Sequence, residues 1–160
     1  MNEQTFLGIP QNIAFADWFA IQQLHAAYAL AVDSMDFDML GSLFTDDAVI
    51  ELDAQAPDLP ARGRTAIVGA LRSRREGAAL SGGKLRRHII SNLFIRAASS
   101  DRIDACVVMQ LVETRHAGVT ILQTSMYTDV FRRSVGTSGT AGRWLFSSRT
   151  LQRDLAPEKS

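Results

Sequence analysis

Three histidines and one cysteine are the residues of this sequence best suited to move protons, bind metals or attack electrophiles. His25, His88 and His116 lie far apart, and no HExxH segment or closely spaced pair of cysteines accompanies them. We therefore predict no metal site. An imidazole that titrates near neutral pH is nevertheless well suited to general-base catalysis. Cys106 lies in the apolar run 106–109 and is predicted to be a buried free thiol.

A group of basic residues lies between the two halves of the chain, and it consists of Arg72, Arg74, Arg75, Lys84, Arg86 and Arg87. The whole sequence balances 17 basic against 17 acidic residues, so its overall charge does not favour nucleic acid or an anionic membrane. We interpret the group as a solvated face and expect no nucleic-acid partner. No apolar run approaches membrane-spanning length, so we expect no membrane partner either.

The first half of the chain has the periodicity of helices. Apolar residues recur at three- and four-residue steps over 18–32, which predicts a helix that Asp17 caps and that ends near residue 33 or 34. His25 lies on the apolar face of this helix and is expected to be a core histidine. Asp36 is placed to cap a short second helix.

A first strand is predicted over 48–52, and a third helix is predicted to begin at Thr65. Core positions are expected for three aromatic residues, namely Trp18, Phe37 and Phe44.

The second half has the character of a sheet. After a loop over 77–83, long β-like runs cover 86–97, 103–116 and 119–133, and a fourth begins at residue 143. Helices followed by a long antiparallel meander predict an α+β fold with the helices packed on one face of the sheet. Such a sheet bends into a half-open cone, and the mouth of the cone is a natural place for a ligand pocket.

The chain is 160 residues long, which fits one domain. We predict an N-terminal arm over 1–16, the domain over 17–154 and a flexible tail over 155–160. The N-terminus lacks a basic stretch followed by an apolar core, and the single cysteine cannot form an internal disulfide. Both features fit a cytoplasmic protein.

Two segments, YALAVDSMDFDML over 28–40 and LFTDDA over 43–48, resemble the opening of SnoaL-like domains. Later features are also similar to that family: Gly63 with Ile67, Arg87-His88 followed by Asn92, and Tyr127-Thr128-Asp129 leading to Arg143-Trp144. The resemblance covers about residues 17–154. It implies the NTF2-like cone, in which a curved antiparallel sheet and about three N-terminal helices enclose one pocket.

Within that superfamily the sequence is most similar to the lyase branch of bile-acid dehydratases, scytalone dehydratase and hexachlorocyclohexane dehydrochlorinase. His88 matches the family histidine, and Asp33 matches the aspartate of the bile-acid dehydratases and the dehydrochlorinase. Tyr28 corresponds to a tyrosine of the bile-acid dehydratases, whereas the dehydrochlorinase has a lysine there. The family arginine on the last strand is matched by Arg149 or by Arg153, which share a strand face.

The resemblance implies an elimination in which His88 takes a proton while Asp33 orients its ring and stabilises the imidazolium. Tyr28 would assist the leaving group, and Arg149 or Arg153 would hold an oxyanion or a halide. Each residue also has a purely structural interpretation. Asp33 could end a helix, His88 could lie on the surface, Tyr28 could pack in the core, and the arginines could cover the outer sheet face.

The leading hypothesis is a cofactor-independent lyase acting on a small apolar cyclic ligand. The alternatives are an isomerase or cyclase with the same Asp-His dyad, a non-catalytic small-molecule-binding protein, and a structural protein like the small subunit of dioxygenases. The long strands carry apolar residues on both faces, and the few helices can cover only one of them. We therefore expect a homodimer or homotrimer.

Overall fold

A computed structural model describes residues 13–52, 60–79, 85–136 and 142–154 of the chain. Within these residues lie three helices and six strands. They follow in the order α1 (Phe15–Ser34), α2 (Phe37–Ser42), β1 (Phe44–Leu52), β2 (Ala61–Arg62), α3 (Arg64–Ala79), β3 (Leu85–Ala98), β4 (Arg102–Arg115), β5 (Gly118–Arg133) and β6 (Trp144–Arg153). None of the described helices is long and apolar enough to cross a membrane.

One sheet contains all six strands in the order β2-β1-β6-β5-β4-β3. The run from β3 to β6 is the predicted antiparallel meander. Next to it, β1 pairs with β6 in parallel, a non-local pairing that the sequence did not reveal. The α+β class is confirmed, with a curved, mostly antiparallel sheet and three helices.

The start of α1 differs from the prediction. The helix begins at Phe15, and Ala14 rather than Asp17 occupies the N-cap position. The Asp17 carboxylate instead accepts hydrogen bonds from Arg133 Nη2 at 2.6 Å and from Trp144 Nε1 at 2.9 Å. Asp17 therefore joins the first turn of α1 to the β5 and β6 end of the sheet.

For the other elements in the first half of the chain, one predicted boundary is confirmed and others differ from the prediction. Asp36 caps α2 as expected, since its Oδ1 accepts from the Met39 backbone N–H at 2.9 Å. The first strand starts at Phe44 rather than at residue 48, and the third helix continues to Ala79, three residues into the predicted loop. The short strand β2 was not predicted. The predicted tail over 155–160 and most of the predicted arm lie outside the described residues.

The core lies between the helices and the sheet and is rich in aromatic residues. Phe44, Phe131 and Phe146 are fully buried. The ring centroid of Phe146 lies 5.4 Å from that of Phe44 and 4.8 Å from that of Phe131. Trp18 was predicted to be a core residue, but it is 38% exposed and stacks on Phe15. Cys106 is only partly buried, because it lies on the face of β4 opposite the inward-facing Val107.

A bulge bends β3 and helps to make the sheet concave toward the helices. The register with β4 shifts between Ser91 and Phe94, and Asn92 in this bulge has a left-handed φ of 56°. Asparagine tolerates that conformation better than most residues, and a bulge increases the local bend and twist of a strand. The segment of β3 before the bulge carries His88 beside the end of α1.

Candidate active site

The side chains of Asp33 and His88 are in direct contact. His88 Nδ1 lies 2.7 Å from Asp33 Oδ1, and the His88 backbone N–H donates to Asp33 Oδ2 at 3.0 Å. A carboxylate accepts hydrogen bonds, so the ring hydrogen lies on Nδ1 and Nε2 is left as an acceptor. The side chains of His88 and Asp33 are 15% and 5% exposed. The sequence-based prediction of this contact is therefore met, and it brings a histidine into the form that can accept a proton.

Hydrogen bonds within the last turn of helix α1 and one hydrogen bond from α3 fix the point at which α1 ends. Met35 adopts a left-handed conformation with φ 59°, and its N–H bonds back to the carbonyls of Ala31 and Val32. Arg75 Nη2, from α3, donates to the backbone carbonyl oxygen of Asp33 at 3.2 Å. Two independent contacts thus hold Asp33 at the end of the helix, facing β3.

A cavity of about 260 Å³ opens beside this dyad, just below the usual range for ligand sites, which begins at about 300 Å³. Its wall combines apolar side chains, two tyrosines and several cations. The lining residues are Tyr28, Val32, Ile50, Leu71, Arg74, Arg75, Arg86, His88, Met109, Leu111, Gln123, Tyr127, Arg149, Leu151 and Arg153. Asp33 is not among them, so it lies behind His88 and acts on the cavity only through the imidazole.

His88 also borders a second hollow, of about 340 Å³, between α1 and β3. None of the other candidate catalytic residues, Tyr28, Arg149 and Arg153, lines that hollow. The first cavity contains Tyr28, Arg149 and Arg153 together with His88. We therefore take the first cavity as the candidate site, because groups for proton transfer and for charge stabilisation converge there.

Arg149 lies in the floor of the cavity as part of a buried ion pair. Its Nε and Nη2 donate to Asp129 Oδ1 at 2.7 Å and Oδ2 at 2.9 Å, and both side chains are at most 1% exposed. Burial alone would raise the pKa of Asp129, but the charge and hydrogen bonds of Arg149 outweigh it and lower that pKa. Likewise, burial would lower the pKa of Arg149, whereas Asp129 raises it. Arg149 is thus a fixed cation and does not cover the outer sheet face.

His25 extends this buried network. Its Nε2 lies 2.9 Å from Asp129 Oδ2, and its Nδ1 lies 3.0 Å from the carbonyl oxygen of Ile21. His25 is therefore the core histidine that the sequence predicted. Local sequence patterns did not indicate a role for Asp129, although the Tyr127-Thr128-Asp129 motif carried part of the family resemblance.

Two tyrosines and a phenylalanine surround the guanidinium of Arg149. Its Cζ lies 4.1 Å from the ring centroids of both Tyr28 and Tyr127, and 4.4 Å from that of Phe146. These contacts fix the cation by cation–π attraction. Burial raises the pKa of the Tyr127 hydroxyl well above its usual value, and the neighbouring Tyr28 raises it further. Tyr28 is therefore the core residue of the structural interpretation, and it also lines the cavity, while its role toward a leaving group stays a prediction.

Both candidate arginines on β6 line the cavity, so the structure does not select one of Arg149 and Arg153. The interpretation of the basic group as a solvated face was partly wrong. Arg74, Arg75 and Arg86 turn into the cavity, because α3 and β3 form two of its sides. His116, in contrast, lies exposed in the turn between β4 and β5.

The site can perform acid–base chemistry on a bound organic molecule. It offers a histidine with a free acceptor nitrogen, a carboxylate that fixes its tautomer, tyrosine hydroxyls and a fixed cation. Among the described residues, no group of three or more His, Cys, Asp or Glu side chains is arranged to hold a metal ion.

The sequence matches the SnoaL-like domain family over residues 15–150. No curated protein matches the chain significantly.

Solved structures are similar over most of the chain. A protein from Catenulispora acidiphila in complex with S-DNPA is 27% identical, with a TM-score of 0.72 over 88% of this chain and 95% of that one. An NTF2-like protein with a cystatin-like fold from Novosphingobium aromaticivorans is 20% identical, with a TM-score of 0.70 over 85% and 80% of the two chains, and shows the shared fold. The β subunit of a candidate aromatic-ring-hydroxylating dioxygenase from the same organism is 25% identical, with a TM-score of 0.59 over 89% and 91%.

Proposed function

Because this chain belongs to the SnoaL-like domain family, we propose that it is a cofactor-independent lyase that eliminates water or halide from a small, largely apolar cyclic molecule. The observation that carries the proposal is the 2.7 Å hydrogen bond between Asp33 and His88 at the wall of the cavity. The ligand-bound Catenulispora acidiphila relative supports the binding of a small molecule in this fold.

In the proposed reaction, His88 Nε2 removes a proton from carbon. The electron pair of the C–H bond forms the new C=C bond, and the leaving group departs from the adjacent carbon with its own bonding pair. Asp33 stabilises the imidazolium that results. Arg149 and Tyr28 stabilise the charge that develops on a carbonyl oxygen or on the leaving group. A departing hydroxide takes the proton that His88 removed and leaves as water, whereas a halide leaves as the anion and His88 releases its proton to solvent.

The test uses alicyclic alcohols, halides and β-hydroxy ketones incubated with the purified protein. Wild type is expected to yield a product that has lost water or halide, detected by mass and by halide release, and the His88→Ala protein is expected to yield none above background. Ligands that bind the wild type and are never converted would contradict the proposal and support a binding protein.

An isomerase or cyclase is the closest alternative, since the same dyad can move a proton between two carbons. The assay above separates the two, because isomerisation gives a product of unchanged mass. The similarity to a dioxygenase β subunit favours a third candidate, an assembly role. A protein of that kind is expected to aggregate when purified without its large partner, whereas the proposed lyase is expected to be stable alone.

A further inference from the structure

Cations dominate the charged part of the cavity wall. Arg74 and Arg75 come from α3, Arg86 from β3, and Arg149 and Arg153 from β6. None of the described residues that line the cavity is an aspartate or a glutamate. A small space with low-dielectric walls and several cations strongly favours an anionic ligand.

Two of these cations are neutralised by carboxylates just outside the wall. Arg149 forms its bidentate pair with Asp129, and Arg86 Nε donates to Glu113 Oε2 at 3.0 Å. Glu113 is itself buried and also pairs with Arg115. The carboxylate of Asp33 is occupied by His88.

Arg74 and Arg75 differ from Arg86 and Arg149. Neither Arg74 nor Arg75 forms an ion pair with a carboxylate of the described residues. Arg75 donates from Nη2 only to a backbone carbonyl, that of Asp33. Their two consecutive positions on α3 therefore bring to the cavity charge that no carboxylate of the described residues neutralises.

Hydrogen bonding gives a second, independent indication. Arg74 Nε, Arg75 Nε and Arg149 Nη1 are buried and have no acceptor among the described residues. Buried polar groups, and charged ones above all, are rarely left without a partner in native proteins. All three nitrogens belong to residues that line the same cavity, so one bound anionic molecule can supply acceptors to each of them.

We propose that the ligand of this cavity is a cyclic organic acid whose carboxylate is held by Arg74 and Arg75. The inference rests on the proposed function, since it places the substrate of that reaction in the same cavity. The planar guanidinium matches the two oxygens of a carboxylate, and the apolar residues Val32, Ile50 and Leu71 contact the ring system. Arg149 Nη1 then remains for the oxygen or halide at the reacting centre.

The experiment measures binding by calorimetry for cyclic acids from cyclohexanecarboxylate to 1-naphthoate. Each acid is paired with the alcohol in which CH₂OH replaces the carboxylate, and 1-naphthyl phosphate serves as the phosphate probe. At least one acid is expected to bind roughly tenfold or more tightly than its alcohol, and added salt is expected to weaken the acid alone. The inference is overturned if no acid binds, if the alcohols bind equally well, or if the phosphate is preferred.

Variants assign the effect to residues. Arg74→Gln should weaken the preferred acid by roughly tenfold and leave its alcohol unchanged, because one charge-assisted contact is lost. Arg72→Gln is the matched control: Arg72 lies on the same helix, outside the cavity, over the ring of Phe37, and its loss should change neither affinity. Equal weakening of acid and alcohol by Arg74→Gln would show a merely structural role and contradict the inference.

His88→Ala separates this inference from the proposed function. The variant should bind the acid as the wild type does, since His88 is not assigned to the carboxylate. Acid binding that depends on Arg74, in a wild-type protein that converts nothing, would refute the lyase and support the anion site. Turnover of neutral molecules with no preference for acids would support the lyase and refute the anion site.

Discussion

Asp33 accepts two hydrogen bonds from a single residue, the ring Nδ1 of His88 at 2.7 Å and the backbone N–H of His88 at 3.0 Å. The carboxylate thus holds both the strand and the imidazole, so the ring cannot turn without losing a partner that is already desolvated. The arrangement leaves Nε2 as the only ring nitrogen available to a ligand in the cavity. The ring nitrogen that is proposed to accept a proton is therefore held in place by the protein alone.

Replacing Asp33 by asparagine should be nearly as damaging to turnover as removing the histidine. The amide can hold the ring in the wrong tautomer, and it cannot balance the charge of an imidazolium. We expect a decrease in kcat of roughly 10²-fold or more, with ligand affinity much less affected. Asp38→Asn, an exposed change in the first turn of α2, is the control and should leave kcat unchanged. An Asp33→Asn protein with wild-type kcat would show that the carboxylate only ends the helix.

The losses at Asp33 and His88 should not add. Both residues are proposed to serve one proton transfer, so the Asp33→Asn, His88→Ala double variant should lose about as much turnover as His88→Ala alone. The measurement is the single-turnover rate of four proteins: the wild type, the two single variants and the double variant. Multiplicative losses would mean that the two residues act in separate steps.

Tyr28→Phe should have a milder effect than His88→Ala. The phenyl ring keeps its contact with the Arg149 guanidinium, and only the hydroxyl, which is proposed to assist the leaving group, is lost. We expect kcat to fall by less than for His88→Ala and the melting temperature to change little. A loss of turnover as large as that of His88→Ala would make the hydroxyl a principal acid in the reaction.

Asp129→Asn should destabilise the protein at neutral pH by roughly 3 to 5 kcal/mol, because Arg149 would be left as a buried cation without its carboxylate. The folded protein lowers the pKa of Asp129, so the stability due to this carboxylate is complete above its unfolded pKa of about 4. It is lost as the pH falls through the lower folded value. Denaturant unfolding at several pH values should therefore show the difference between wild type and variant shrinking in acid. A difference that stays constant down to pH 2 would contradict the assigned ionisation.

The outer face of the sheet should form a homodimer or homotrimer interface. Ile89, Ile121 and Met126 are 46%, 54% and 44% exposed on the side of β3 and β5 away from the cavity. Light scattering should give a multiple of 17.5 kDa at micromolar concentration, and Ile121→Glu should lower it. Val135→Glu, which changes a 97% exposed valine after β5, is the control. A clean monomer for the wild type would refute the interface.

The sequence predicted the parts of the site that depend on local order along the chain. The end of α1 and the position of His88 on β3 followed from periodicity and from family spacing, and the side chains meet as expected. The parallel pairing of β1 with β6 joins segments about a hundred residues apart, and no local pattern encodes such a contact.

The arginines of α3 were missed for a different reason. Charge alone suggested solvent exposure, but helical phase was the better guide. Leu71 follows the buried Ile67 by four residues, and Arg74 and Arg75 follow Leu71 by three and four, so all of them lie on the inward face. The sequence therefore does contain a signal that these arginines face inward, because they continue the apolar stripe of the helix.

The rate of His88→Ala on the first substrate found is the most direct test of the central claim. Single-turnover conversion and ligand affinity are measured side by side for wild type and variant. If His88 is the general base, conversion falls by roughly 10²- to 10⁴-fold, while affinity changes much less. Full conversion by His88→Ala would contradict the dyad mechanism.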